Sequence, residues 1–170
     1  MSTQLPMTVD GVHIRLAEEE DTSLILDFIR QLSVYEKLEH EVVADEERLR
    51  ATLFGDRPFA EVIIAEYAGE PAGFALFFHN FSTFLARPGL YLEDLFVRPE
   101  LRGRGIGKLL LQTLARIAVD RGCGRFEWWV LDWNEPAIRF YRRLGAQSMD
   151  EWTVFRVTGD ALTDLAGEDS

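Results

Sequence analysis

The sequence predicts an α/β (α+β) domain in which a mixed sheet carries helices, rather than a clean βαβ repeat. Three observations lead there. Strand-like and helix-like patterns follow one another in the order β-α-α-β-β-β-α-β-α-β. The turn Ala68-Gly69-Glu70-Pro71 joins two of the strands as a hairpin. The 170-residue chain, 47% hydrophobic, is large enough to bury a core and holds no repeat, low-complexity tract or dividing linker. One domain over residues 11–165 is expected, between a flexible start (1–10) and an acidic tail (166–170).

Val12 to Leu16 alternates apolar and polar side chains, the period of a strand. Between Asp21 and Leu38, Leu24, Ile25, Phe28, Ile29, Leu32 and Tyr35 recur at helical spacing. Asp45 to Phe54 is a second, shorter helix with Asp45 as its N-cap, ended by Gly55 and Pro58. Glu61–Tyr67 and Ala72–Phe81 are the strands of the hairpin, and Ser82 to Gly89 reads as a loop. Leu90 to Val97 is an apolar strand interrupted by two carboxylates and ended by Pro99. The clearest helix spans Gly105 to Val119, where Ile106, Leu109, Leu110, Leu114, Ile117 and Ala118 form one apolar stripe. After Gly122 come a strand, Arg125–Leu131, and a helix, Pro136–Leu144, with Pro136 in its first turn and Gly145 beyond its end. Glu151 to Val157 is expected as the last strand.

Composition excludes several classes. A net charge of −11 argues against a nucleic-acid surface, which needs a basic patch, and favours cationic small molecules. An anionic ligand therefore needs a local basic patch. The chain lacks a run of about 18 apolar residues, so no membrane span is expected, and its N-terminus does not resemble a signal peptide. Cys123 stands alone, which fits a reducing, cytoplasmic setting. His13, His40 and His79 are not grouped at ligand spacing, so no metal is expected.

Such a basic patch stands at Arg102-Gly103-Arg104-Gly105-Ile106-Gly107-Lys108, between a strand and the clearest helix. A helix N-terminus offers unpaired N–H groups and the positive end of its dipole, and glycines let the backbone approach an anion closely. With Arg102, Arg104 and Lys108 added, this is a pyrophosphate-binding turn. It is not a P-loop, because only three residues separate Gly103 from Gly107 and Leu109 follows Lys108. Nor is it a dinucleotide fingerprint, because its glycines are spaced G-x-G-x-G.

Arg-x-x-Gly-x-Gly after a strand and before a helix resembles the acetyl-CoA motif of the GNAT superfamily of N-acetyltransferases. The stretch Trp133-Asn134-Glu135-Pro136-Ala137-Ile138-Arg139-Phe140-Tyr141 looks like that superfamily's second motif. The resemblance covers Leu90 to Ala146. It implies a GNAT fold: a mixed, mostly antiparallel, twisted sheet with helices on both faces. It implies acetyl-CoA as cosubstrate, held by Arg102, Gly103, Arg104, Gly105, Ile106, Gly107 and Lys108. The backbone of Leu95, Phe96 and Val97 would meet the thioester carbonyl. Asn134, with Ala137, would contact the pantetheine arm, although Asn134 equally suits an N-cap. Tyr141 would be the general acid that protonates the departing thiolate, although a tyrosine at that spacing from Ile138 equally suits a core.

The acceptor amine must lose a proton before it attacks, since an alkylammonium has a pKa of about 10. Glu93 and Asp94 lie in an apolar strand, where alternation places them on opposite faces unless a bulge intervenes. Tyr91-Leu92-Glu93-Asp94, Tyr35-Glu36 and Trp133-Asn134-Glu135-Pro136 resemble the diamine (spermidine/spermine N1-) and thialysine acetyltransferase branch. That resemblance makes Glu93 the base, acting through a water. It makes Tyr35 and Glu36, with Glu93, the amine-holding residues, and it implies a homodimer. Thr83 stands where the polyamine-acting members carry an acid, which points toward thialysine-like amines. Two other readings are a protein lysine or N-terminal acetyltransferase and a non-catalytic acetyl-CoA-binding regulator. A narrow cleft would disfavour the first, and the presence of Tyr141 and Glu93 argues against the second.

Overall fold

The hairpin at Gly69 stands at the centre of a six-stranded sheet in the computed structural model, which describes residues 4–167. The strands are β1 (Met7–Val9), β2 (Val12–Leu16), β3 (Glu61–Tyr67), β4 (Glu70–Ser82), β5 (Arg87–Val97) and β6 (Arg125–Trp128). The helices are α1 (Thr22–Glu36), α2 (Glu46–Phe54), α3 (Ile106–Asp120), α4 (Glu135–Arg143) and α5 (Asp160–Ala166). The strands lie in sequence order, antiparallel from β1 to β5, and β6 runs parallel to β5 after the α3 crossover. The chain divides into two compact units at Leu131 and Asp132. The first holds the whole sheet with α1 to α3, and the second holds α4 and α5.

Both faces of the sheet are covered, as expected. Ile64, Phe74 and Phe96 lie side by side across β3, β4 and β5. They pack with Ile25, Phe28 and Leu32 of α1 and Leu53 of α2 in one buried cluster. Phe28 stacks on Phe74 with ring centroids 5.2 Å apart. The alternate residues Ile63, Ala65 and Ala75 are equally buried and point the other way. Their cover is α3, which packs against β3 to β6 and buries the predicted Ile106-to-Ala118 stripe. Asp45 caps α2 as expected, accepting from the Arg48 N–H at 2.7 Å.

Four expectations change. Residues 7–9 of the supposedly flexible start form β1, because Asp10 and Gly11 both have positive φ and close a two-residue hairpin between Val9 and Val12. Residues 1–3 lie outside the described residues. The strands flanking the 82–89 loop run on until Ser82 faces Arg87, leaving only residues 83–86 as the turn. Pro88 and Gly89 read as loop punctuation, yet the Pro88 carbonyl accepts from the Gly124 N–H, and Asn80 Oδ1 occupies the space a Cβ on Gly89 would need. The Arg125 strand ends at Trp128 rather than Leu131.

The fourth change is the closing strand, Glu151–Val157, which joins no ladder among the described residues. An alternating pattern makes one apolar face but supplies no partner, and the described residues from Asp132 onward form no other strand to pair with it. Ala166, the first residue of the expected tail, ends α5, and residues 168–170 lie outside the described residues.

Candidate active site

The β4–β5 ladder slips by one residue beside Glu93. Leu76 pairs with Asp94 and Phe77 with Leu92, so Glu93 has no residue opposite it. This β-bulge is the exception that strand alternation allows, and it removes the requirement that the two acids face opposite ways. Leu76 packs on the α1-side cluster, and Asp94 shares its face. Phe77 lies under Arg121, at the end of α3, and Leu92 shares that opposite face. Alternation from Leu92 returns Glu93 to the α1 side, so both carboxylates look toward α1.

Glu36, the last residue of α1, completes an acidic cluster. Burial, then the neighbouring charges of Glu93 and Glu36, push the Asp94 carboxyl up to about 7. Burial and the charge of Glu93 raise Glu36 as well. A cation entering this cluster would relieve all three. Asp94, considered in the sequence only as an alternative to Glu93, is thus a buried carboxyl with a raised pKa on the same face; its signal is the bulge.

The glycine loop follows a short 3₁₀ turn, Pro99–Leu101. Gly103 and Gly105 both have φ of +79°, a left-handed geometry that other residues adopt only under strain. A Cβ at either position would meet nothing within 4 Å, so the requirement is conformational. Gly105 is the N-cap of α3, with no side-chain cap and no acid in the first turn. The first N–H groups of α3 are thus left to an anion, with Lys108 in the same turn. Ile106 is 1% exposed and Phe96 4%, so each offers such a ligand its backbone only.

The two arginines of the loop are held by aromatic rings. Arg102 lies over Tyr35 of α1, 4.7 Å from the ring centroid, and over Phe96 at 5.5 Å. Its Nε donates to the Val97 carbonyl at 3.0 Å. Arg104 lies 5.1 Å from the ring centroid of Tyr67, at the end of β3, and its Nη1 donates to the Tyr67 hydroxyl at 3.3 Å. Sequence reasoning missed Tyr67, because nothing near it in the chain marks it.

The donor is expected along the C-terminal part of β5, which β6 does not pair. β6 pairs only with Gly89 to Leu92, and Leu95, Phe96 and Val97 continue with no β6 residue opposite. The backbone on that edge has no ladder to satisfy it. Within the first unit, Arg102 of the glycine loop stacks on Tyr35, and Glu36, next to Tyr35 in α1, lies near enough to Glu93 and Asp94 for their charges to interact. Thr83 lies away from this path in the β4–β5 turn, where its carbonyl accepts from the Ala86 N–H at 3.3 Å.

The second-motif residues belong to the other unit. Asn134 is the N-cap of α4, its Oδ1 accepting from the Ala137 N–H at 3.4 Å, so the capping alternative is realised. Pro136 sits in the first turn and Gly145, with φ of +92°, follows the end. Tyr141 is on α4 with its ring 5.7 Å from that of Phe140.

Among the described residues, no group of three or more His, Cys, Asp and Glu side chains is placed to hold a metal ion, and no helix is long and apolar enough to cross a membrane. A family model described as "Acetyltransferase (GNAT) family" matches residues 26–146. The chain is 43% identical over 169 residues to a thialysine N-epsilon-acetyltransferase of Sus scrofa, covering 93% of this chain and 99% of that one. It is 39% identical over 194 residues to an L-ornithine N5-acetyltransferase of Arabidopsis thaliana, covering 88% and 85%. Among solved structures, it is similar to an integron cassette protein from the mobile metagenome of V. cholerae. The TM-score is 0.78 at 29% identity, with 93% of this chain and 99% of that one covered.

Proposed function

The chain belongs to the GNAT acetyltransferase family, and on that premise we propose that it moves the acetyl group of acetyl-CoA to the side-chain amine of a small, thialysine-like amino acid. The observation that carries the reading is that Arg102 of the glycine loop stacks on Tyr35, the neighbour in sequence of Glu36, whose charge acts on the Asp94 carboxyl at the β5 bulge. It joins an anion-binding turn to a cation-binding cluster, as a donor bearing pyrophosphate and an acceptor bearing an ammonium require.

Each residue has a role in this reading. The N-terminal turn of α3, with Gly103, Gly105, Gly107, Arg104 and Lys108, holds the pyrophosphate. Asn134, whose Oδ1 caps α4, holds the pantetheine arm through its Nδ2, with Ala137 beside it. Backbone N–H groups of the Leu95-to-Val97 edge polarise the thioester carbonyl and hold its developing negative charge. Tyr35 and Glu36 hold the amine. Glu93 takes its proton through a water, with Asp94 stabilising the cation before the proton leaves. The amine nitrogen then bonds to the acetyl carbon, the carbon–sulfur bond breaks, and Tyr141 protonates the thiolate. Attack is direct, within a ternary complex, so Cys123 forms no acetyl-enzyme.

The acceptor is drawn from three supports: the printed activities of the relatives from Sus scrofa and Arabidopsis thaliana, the neutral Thr83, and a net charge of −11 that attracts cations. The reading extends to a homodimer working in the cytoplasm, the first from the branch resemblance and the second from the single thiol. An amine panel tests the acceptor. With acetyl-CoA, thialysine and ornithine should be acetylated with higher kcat/KM than spermidine, putrescine or lysine-containing peptides. Preference for a peptide would replace this reading with a protein acetyltransferase, and preference for spermidine would remove the weight placed on Thr83.

A further inference from the structure

Arg102 touches both halves of the site at once. Its guanidinium lies over Tyr35, which adjoins Glu36 in the last turn of α1, and its Nε is bonded to Val97 at the end of β5. A guanidinium stacks through its faces and donates through its edge, so the two engagements do not compete. Among the described residues no acceptor is recorded for Nη1 or Nη2, which leaves four N–H donors in the guanidinium plane for an anion. Tyr35 is 41% exposed, and α1 ends beside it in a left-handed Lys37. The Arg102 stack is a contact that reaches this helix end from the cofactor loop.

We propose that Arg102 is a positioning residue that couples the two substrates: an anion on its edge fixes the guanidinium plane against Tyr35, orders the end of α1, and so strengthens amine binding beside Glu36. The second ligand then meets a helix end already ordered by the first. An exposed cation–π contact limits the size of the effect, which should be roughly two- to fivefold in affinity. Linkage requires it to be reciprocal. The inference rests on the proposed function, since it takes the ligand of the acidic cluster to be the acceptor amine.

Calorimetry on the full chain tests it, with thialysine as the probe amine and CoA, which cannot transfer an acetyl group, as the probe anion. Saturating CoA should tighten thialysine binding about two- to fivefold, and thialysine should tighten CoA by the same factor. Tyr35→Phe keeps the ring and should keep the coupling. Tyr35→Leu removes the ring and should bring the ratio to one, whatever it does to thialysine affinity alone. Arg102→Lys keeps the charge without the planar stack and should also bring the ratio to one, which covers the case of a poorly folded Tyr35→Leu. A ratio of one in the unaltered protein, with thialysine bound and acetylated, overturns the coupling and leaves the function standing. Full coupling in Tyr35→Leu or Arg102→Lys overturns it equally. Absence of thialysine binding and of its acetylation overturns both.

Discussion

Glu93 and Asp94, adjacent in the chain, face the same side of the sheet. The slipped register between Leu76–Asp94 and Phe77–Leu92 places them so, and α1 brings Glu36 to the same cluster. An apolar strand thereby presents two carboxylates to one substrate instead of one to each face.

Asp94 should make stability depend on pH. Between the ordinary carboxylate range and about 7, the folded protein holds a proton on Asp94 that the unfolded chain has lost, because burial and the charges of Glu93 and Glu36 raise its pKa. Stability therefore falls as pH rises through that window, by at most about 1.4 kcal/mol per pH unit. Asp94→Asn removes the titration, so it should gain stability relative to the unaltered protein between pH 5 and pH 8. Urea unfolding of both proteins at the two pH values measures this. Parallel pH profiles would show that Asp94 titrates normally.

Glu93→Gln keeps the shape of the side chain and removes its basicity. Steady-state kinetics should show kcat lowered by roughly 100-fold or more, in the range of a lost general base. The KM for acetyl-CoA should stay nearly unchanged, because the glycine loop is untouched. A variant with near-normal kcat would transfer the proton-accepting role to Asp94 or Glu36.

Tyr141→Phe removes one hydroxyl from α4. It should lower kcat far more than it lowers acetyl-CoA affinity, with the loss smaller for a thioester whose thiol leaves more readily. Unchanged turnover would take Tyr141 out of the mechanism.

Gly105→Val tests the cofactor loop. Gly105 has φ of +79°, and a non-glycine residue there costs about 1–2 kcal/mol. No neighbouring atom stands within 4 Å of the new Cβ, so the strain falls on the turn that aims the α3 N–H groups. Acetyl-CoA binding, followed by calorimetry, should weaken at least several-fold. Unaltered affinity would place the pyrophosphate elsewhere.

Local patterns in the sequence determine much of this protein: the stripe of α3, the capped α2, the hairpin at Gly69 and the glycine turn. Each depends on residues within a few positions of one another, so period and turn chemistry suffice to find it. The β1–β2 hairpin belongs with them. Asp10-Gly11 is a hairpin turn written in two residues, and the pair lies within the stretch expected to be loose. Only the tertiary structure decided the rest. The bulge depends on how Leu76 and Phe77 meet β5, the Arg102 stack on where α1 ends, and the status of residues 151–157 on a pairing partner that the described residues of their own unit do not supply. Those relations join residues far apart in the chain, and packing selects them.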